Sequence, residues 1–199
     1  TYDCGEFEKG LDQALELSRW KEFEKRRQAS KARGKLRGIG LANAIERAAA
    51  PGMEYAEVRF DPGGAATLMV GTTSQGQGHE TMYRQIAGTR LGLAQADLRV
   101  VEGDSDAVAF GAGSFGSRSA AIGGTALWHA ADKAIAKGKR IAAHLLEAAD
   151  ADIAFAAGRF AIAGTDRSLA WKDIARAAYG APLPAGASLV SASGNGAPS

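Results

Sequence analysis

The residues best suited to chemistry lie in two glycine-rich loops. The first loop reads Gly-Thr-Thr-Ser-Gln-Gly-Gln-Gly over 71–78 and precedes His79; the second reads Gly-Ala-Gly-Ser-Phe-Gly-Ser over 111–117 and precedes Arg118. Each loop follows a predicted strand and opens a predicted helix, which directs unpaired backbone N–H groups and the positive end of the helix dipole into the loop. Glycine also lets the backbone approach a ligand closely. Two such loops predict a ligand held at two points, with phosphate or another anionic group as the expected target; two plain glycine-rich turns are the alternative.

Known motifs of this kind match the loops only in part. Gly111, Gly113 and Gly116 have the Gly-x-Gly-x-x-Gly spacing of dinucleotide-binding folds. The acidic residue that such folds place about 20 positions later would be Asp132, in the middle of a predicted helix. A nicotinamide-binding domain therefore stays only an alternative. Neither loop ends in the Gly-Lys-Ser/Thr of a P-loop, which excludes that motif. The three histidines are His79, His129 and His144. Their spacing does not favour a metal bound by protein side chains.

The surrounding pattern predicts an α/β (α+β) fold, a mixed sheet packed with helices that include one long Ala-rich helix. Alternation over 55–60 predicts a strand with one buried face, and the Asp-Pro-Gly-Gly turn at 61–64 joins it to 66–70 as a hairpin. The remaining strands are expected at 36–45, 98–101, 153–155 and 159–162. The helices are expected at 7–30, 79–91, 118–147 and 169–179.

Composition sets the broad class of protein. The 199 residues are 46% apolar and 23% charged, which is typical of a globular chain, and the net charge of +2 gives no overall attraction to nucleic acid. No apolar run is long enough to cross a bilayer, and the polar start shows no signal peptide. The single cysteine, Cys4, favours a reducing compartment. We therefore expect a cytoplasmic protein with no membrane span.

Both loops carry a resemblance to a known family. The segment Gly-Thr-Thr-Ser-Gln-Gly-Gln-Gly-His-Glu-Thr at 71–81 and the segment Gly-Ser-Phe-Gly-Ser-Arg-Ser at 113–119 closely resemble the xanthine dehydrogenase/aldehyde oxidase family. Within it, the molybdenum-binding large subunit of aerobic carbon monoxide dehydrogenases is the most similar. The segments 20–40, 100–104, 141–147 and 159–160 continue the match, which covers nearly all of residues 1–180.

The resemblance implies a molybdopterin cofactor, in bacterial members usually molybdopterin cytosine dinucleotide with molybdenum. Gln77 would lie nearest the molybdenum side, and the segment 116–119 would hold the pyrophosphate or the pterin. Arg118 also stands out because a cation is unfavourable at a helix start, so we expect an anion beside it. The candidate cofactor-binding residues are Gln75, Gly76, Gln77, Gly78, His79, Phe115, Gly116, Ser117, Arg118 and Ser119.

The family also implies what the rest of the enzyme would contain. It catalyses oxidative hydroxylation or carbon monoxide oxidation with water as the oxygen source, and electrons leave through iron–sulfur and FAD subunits. Its catalytic glutamate and the cysteine loop of the carbon monoxide enzymes have no counterpart in this chain, and Cys4 is not in that context. We therefore expect a fragment of the large subunit that is inactive alone and docks with the remaining domains. The small-molecule substrate stays open among carbon monoxide, aldehydes and purines.

The expected division is a helical segment at 1–34, a molybdopterin-binding domain at 35–180 and a flexible Pro/Gly/Ala/Ser-rich tail at 181–199. A basic stretch runs from Arg19 to Arg37 and permits a second alternative, a nucleic-acid-binding module. Glutamates dilute this stretch, and no aromatic platform accompanies it. A solvated helix or a face that docks onto other domains is the favoured interpretation.

Overall fold

The computed structural model describes residues 4–46 and 48–180 and the backbone of 192–195. The chain divides into two compact units, residues 1–45 and residues 46–199. Among the described residues, no helix combines the length and the apolar composition that a membrane-spanning segment requires. The fold is mixed α/β, as predicted, with two small sheets packed against helices.

The first unit contains two helices, α1 (Phe7–Leu17) and α2 (Phe23–Lys31), joined by a 3₁₀ turn at Trp20–Glu22. The prediction of one continuous helix over 7–30 is wrong, because Arg19 adopts the left-handed conformation (φ 49°) and ends the first helix. Arg26 stabilises this corner by donating to the carbonyl oxygens of Ser18 and Arg19 at 2.9 and 3.0 Å.

The expected strand at 36–45 is absent from the structure, and that prediction is wrong. The segment has no regular secondary structure among the described residues, and the Leu36 side chain is 99% exposed. Alternating apolar residues form a strand only where a partner strand pairs with the backbone. No such pairing exists for this segment within the described ranges.

The main sheet of the second unit has the strand order β3-β2-β1-β7. The strands are β1 (Tyr55–Phe60), β2 (Ala66–Val70), β3 (Leu98–Val101) and β7 (Ala192–Asn195). β1 and β2 form the predicted antiparallel hairpin, whose turn is held by the Asp61 carboxylate, which accepts from the Gly63 and Ala65 N–H groups. β3 lies parallel to β2, and the helix α3 (His79–Leu91), which has the predicted bounds, makes the crossover. β7 pairs with β1 and was not predicted; the rest of the predicted tail lies outside the described residues.

β1 is buried on both faces, so the prediction of one buried face is wrong. Ala56, Val58 and Phe60 pack into the main core, which α4 (Gly124–Leu146) covers. On the opposite face, Tyr55 belongs to a second apolar cluster with Met69 and Val108. Alternation in the sequence could not show that a loop residue would cover this second face.

The long Ala-rich helix begins later than predicted. A π-helical turn at Ser119–Gly123 precedes α4, so the second loop enters the helix through a widened turn. Small residues let α4 lie close to its neighbours, and at Gly138 a Cβ would lie 2.5 Å from Cζ of Phe160.

The second sheet has the order β4-β5-β6 and lies beside α5 (Trp171–Gly180). Its strands are β4 (Ile153–Ala156), β5 (Arg159–Ile162) and β6 (Ser168–Ala170). The β4–β5 hairpin was predicted, whereas β6 occupies the expected start of the last helix. Trp171 joins this sheet to the core by stacking on Phe60 and donating from Nε1 to the Leu91 carbonyl at 2.8 Å.

Candidate functional site

The two glycine loops meet directly, and this contact requires glycine. A Cβ on Gly71 would lie 2.5 Å from the Phe110 carbonyl oxygen and 2.6 Å from Cα of Gly111. A Cβ on Gly111 would overlap the backbone of Gly71 in return. Because backbone atoms on both sides leave no room, the first and second loops approach more closely than residues with side chains allow.

Polar side chains connect the loops beyond this contact. Ser114 Oγ donates to the Thr73 carbonyl at 2.8 Å and accepts from the Thr73 N–H at 3.1 Å. Ser119 Oγ in turn donates to Ser114 Oγ at 3.1 Å. The loops are thus joined side by side rather than merely adjacent.

A cavity of about 370 Å³, which we call the interloop cavity, lies between the first and second loops. Seven of the ten candidate residues line it: Gln77, His79, Phe115, Gly116, Ser117, Arg118 and Ser119. Its wall also includes Met82, Ser114 and Ala120. Gln75, Gly76 and Gly78 do not line it. The two glycines shape the turn instead with φ of 97° and 81°, and the Gln75 N–H donates to Gln77 Oε1.

The walls of the interloop cavity offer hydrogen-bond donors and no carboxylate. Within the described residues, the N–H groups of 115, 116 and 117, which line the cavity, have no acceptor in the chain, and neither has the N–H of His79 at the start of α3. The lining contains no Asp or Glu side chain. Unpaired N–H groups at a helix start and in a glycine turn favour an anion. This donor set therefore fits a phosphate-bearing group better than a neutral or cationic one.

His79 is buried and positioned by an acid that sequence reasoning did not single out. Its Nδ1 lies 2.9 Å from Oε2 of Glu102, which also accepts from Thr72 Oγ1 at 3.2 Å. Glu102 directly follows β3. An acidic residue at the end of a strand between the two loops is the sequence feature that could have identified it as a site residue. This hydrogen bond orients the imidazole of His79, which is one of the residues that line the cavity.

Tyr83 extends this polar network from α3 to the second loop. Its hydroxyl lies 2.8 Å from Thr72 Oγ1 and donates to the Ser119 carbonyl at 3.1 Å. Burial raises the pKa of the phenol to about 12, because the charged phenolate would lose its hydration. The network thus ties both loops to one buried side chain.

Arg118 is placed differently from the expectation that it meets the phosphate of a ligand. Its guanidinium is fully buried and forms an ion pair with Glu54. It also donates to the carbonyl oxygens of Gly113 at 2.9 Å and Met53 at 2.7 Å, and it lies over the Phe115 ring. We expected an anion beside this cation, and the anion that the structure shows there is Glu54 of the same chain. Sequence reasoning missed Glu54 because 64 residues separate the two.

No cluster of three or more potential metal-ligating side chains occurs among the described residues. If a metal acts at this site, a cofactor must therefore hold it or other segments must contribute ligands. The donor-rich, acid-free lining of the interloop cavity is consistent with the anionic part of such a cofactor.

Comparison with known proteins gives consistent matches over most of the chain. A family model described as "Molybdopterin cofactor-binding domain" matches residues 13–197. The carbon monoxide dehydrogenase large chain of Hydrogenophaga pseudoflava is 36% identical over 200 residues, covering 93% of this chain and 25% of the relative. The nicotine 6-hydroxylase large subunit of Paenarthrobacter nicotinovorans is 31% identical, covering 90% of this chain and 24% of the relative.

Solved structures agree with these matches. A Cu,Mo-carbon monoxide dehydrogenase in its carbon monoxide-reduced state superposes with a TM-score of 0.70 at 32% identity, covering 98% of this chain and 27% of the other. Quinoline 2-oxidoreductase from Pseudomonas putida 86 gives 0.69 at 30% identity, with coverage of 98% and 27%. This chain spans about a quarter of the length of the curated relatives named above.

Proposed function

The chain belongs to the molybdopterin cofactor-binding domain family of molybdenum hydroxylase large subunits, and from this premise we propose that the interloop cavity binds the diphosphate part of molybdopterin cytosine dinucleotide. One observation carries the proposal. The two glycine loops, separated by more than thirty residues of sequence, line one cavity with residues whose N–H groups are unpaired, and no carboxylate side chain is in the lining. A diphosphate needs several donors converging from different directions, and this arrangement supplies them.

Each wall has a distinct role in this proposal. The N–H groups of 115–117 and of His79 at the start of α3 donate to phosphate oxygens, and the Ser117 hydroxyl adds a further donor. Gln77 offers both a donor and an acceptor, which suits a pterin edge or a group near the metal. His79, oriented by Glu102, contributes its free ring edge. Arg118 acts mainly by shaping the second loop, because its charge is already neutralised by Glu54.

The whole protein is, in this proposal, a molybdenum-dependent oxidoreductase of the xanthine dehydrogenase, aldehyde oxidase and carbon monoxide dehydrogenase type. The bound cofactor supplies the redox chemistry, with water as the oxygen source. Iron–sulfur and FAD subunits carry the electrons away, and the assembly works in the cytoplasm on a small molecule. The isolated chain is inactive with a dye acceptor, because a carboxylate base must come from outside the described residues that line the cavity.

The proposal is tested with an isosteric pair at Ser117 in the full-length protein that carries this sequence. Ser117 is exposed and left-handed (φ 53°), a conformation that both Asp and Asn tolerate. Ser117→Asp places a carboxylate in the cavity and should lower bound molybdenum and acid-released cytidine nucleotide about tenfold or more, because like charges repel at short range. Ser117→Asn is the matched control and should retain both.

Two results would contradict the proposal. The Asp variant could retain wild-type molybdenum and nucleotide, which would place the anionic group elsewhere. Alternatively, both variants could lose the cofactor equally, which would mean that the size of the side chain matters and its charge does not.

A further inference from the structure

Glu54 is a buried carboxylate that joins the second loop to the start of β1, an inner strand of the main sheet. It is 1% exposed and immediately precedes β1. Its Oε1 accepts from the N–H of Tyr55 at 3.0 Å and from the N–H of Ala112 at 3.1 Å, while Oε2 pairs with Arg118. One side chain therefore holds both the beginning and the end of the second loop.

Arg118 completes this arrangement from the other side. Its Nη1 donates to the Gly113 carbonyl within the loop, and its Nη2 donates to the Met53 carbonyl beside Glu54. Both guanidinium Nη groups are thus occupied by acceptors of the chain. The Nε atom is buried without a partner among the described residues, which shows how completely the side chain is enclosed.

The loop between these two attachment points carries residues 115–117, which line the interloop cavity and whose N–H groups have no acceptor among the described residues. Its carbonyls are held in turn: the Ala50 N–H donates to Gly116 O at 2.9 Å, and the Ala49 N–H donates to Ser117 O at 3.3 Å. The Gly116 carbonyl belongs to the same peptide as the Ser117 N–H, so its bond to Ala50 directs that N–H to the opposite side. The Ser117 carbonyl shares its peptide with the Arg118 N–H, which donates to the Phe115 carbonyl at 3.2 Å. The orientation of the peptides therefore depends on where Ala112 and Arg118 are anchored.

We infer that Glu54 and Arg118 form a positioning pair that sets the shape of the second loop, and that Arg118 contributes to cofactor binding through the loop backbone and not by direct contact. This inference rests on the proposed function for the identity of the ligand. A buried ion pair adds little net stability, but removing one partner leaves an uncompensated buried charge, which the loop must move to hydrate. The pair therefore acts on conformation, as outer-shell partners do for the groups they orient.

The test uses four variants of the full-length protein. Glu54→Gln keeps one oxygen as acceptor for the Tyr55 and Ala112 N–H groups, and it replaces the charged acceptor of Arg118 by a neutral NH2 group. Arg118→Gln removes the cation, and the double variant leaves a neutral pair. Asp132→Asn is the matched control, because it breaks a partly exposed carboxylate–arginine pair with Arg90 outside the cavity lining.

Three quantities are measured on each variant. Hydrogen exchange at the amides of Ala50 and Ala112 reports the position of the loop, since both donate to it or to its anchor. Bound molybdenum and cytidine nucleotide per chain report cofactor retention. The thermal midpoint reports global stability.

We expect both single variants to exchange about tenfold faster at these two amides and to retain the cofactor about 10- to 100-fold more weakly. The double variant should recover much of both, and Asp132→Asn should match the wild type. The inference would be overturned if the thermal midpoint fell equally in the single and double variants and the double variant recovered neither slow exchange nor cofactor retention. The pair would then have only a structural role.

Two further outcomes would also overturn it. If Glu54→Gln raises cofactor retention, Arg118 is a direct ligand that Glu54 holds back. If the single variants lose cofactor while exchange at Ala50 and Ala112 is unchanged, the loop is not what the pair positions. A wild-type protein that binds neither molybdenum nor nucleotide would contradict the proposed function alone, and the exchange measurements would still decide this inference.

Discussion

The hydroxyl of Tyr83, on α3, is hydrogen-bonded to residues at both glycine loops. Tyr83→Phe removes this hydroxyl and keeps the ring. The hydroxyl bonds Thr72 Oγ1 at 2.8 Å and the Ser119 carbonyl at 3.1 Å. A Cβ on Gly123 would lie 2.6 Å from it, so the backbone of the π-helical turn is packed against it. The Ser119 carbonyl also accepts from the Gly124 N–H, so losing the hydroxyl removes two hydrogen bonds without leaving this carbonyl unpaired. At about 0.5–1.5 kcal/mol for each bond, the cost should be about 1–3 kcal/mol at pH 8.

The same hydroxyl should make stability depend on alkaline pH. Burial raises the pKa of Tyr83 to about 12 from an ordinary value of 10.0, so the folded state holds the phenolic proton more tightly than the unfolded state does. Its contribution is complete below pH 10 and is lost as the pH rises from 10 towards 12. A difference of about two pKa units corresponds to at most about 2.7 kcal/mol. Phenylalanine has no proton to lose, so the stability gap between wild type and variant should narrow over this range.

The assay is urea unfolding of the purified chain at several pH values between 8 and 11.5, with wild type and variant compared at each. The pKa of Tyr55 is also raised to about 12, but this group is present in both proteins and cancels in the difference. Tyr179→Phe is the control at pH 8, because it removes a hydroxyl that donates to the Phe60 carbonyl outside the cavity lining. The difference in free energy of unfolding between wild type and Tyr83→Phe could stay constant from pH 8 to 11.5. This result would refute the reasoning, because it would show that burial does not keep the phenol protonated in the folded state.

Two further substitutions test the packing around the site. Gly71→Ala places a Cβ within 2.6 Å of two backbone atoms near the second loop. We expect the free energy of unfolding in urea to fall by about 1–3 kcal/mol and cofactor retention to decrease. Gly180→Ala is the control and should be neutral or slightly stabilising, because the space around Gly180 is open. Equal stability of these two variants would show that the loops can separate freely. Trp171→Phe keeps a ring in the core but removes the buried hydrogen bond to the Leu91 carbonyl, which should lower the free energy of unfolding by about 1–3 kcal/mol. Trp128→Phe should lower it less, because Trp128 is partly exposed. Thermal melts that rank the two variants in the opposite order would contradict this account.

The bounds of a helix or hairpin could be predicted from the sequence where residues within that element determine where it begins and ends. The helix at His79–Leu91 begins after one left-handed glycine and ends at another, Gly78 and Gly92, so its bounds were predictable. The β1–β2 hairpin likewise depends on a turn whose Asp61 side chain closes it. The family resemblance, carried by the residues of both loops, was confirmed by the comparisons.

Predictions failed where a distant residue decides the outcome. The apolar residues at 36–45 have the character of a strand, but a strand exists only through pairing. β1 is covered on its second face by Val108, and Arg118 meets Glu54; neither partner is close in sequence. The left-handed Arg19 interrupts a helical pattern that the apolar spacing alone would continue.

The amino-acid sequence alone determined the two glycine loops, the helices they open and the family to which the chain belongs, because turn chemistry and helix boundaries act over a few residues. Only the tertiary structure decided that the loops meet at Gly71 and Gly111, that a buried carboxylate neutralises Arg118, and that the cavity between the loops is lined by residues with unpaired N–H groups and by no carboxylate. The physical reason is that burial and ion pairing depend on which distant segments the fold brings together, and local spacing carries no information about that distance.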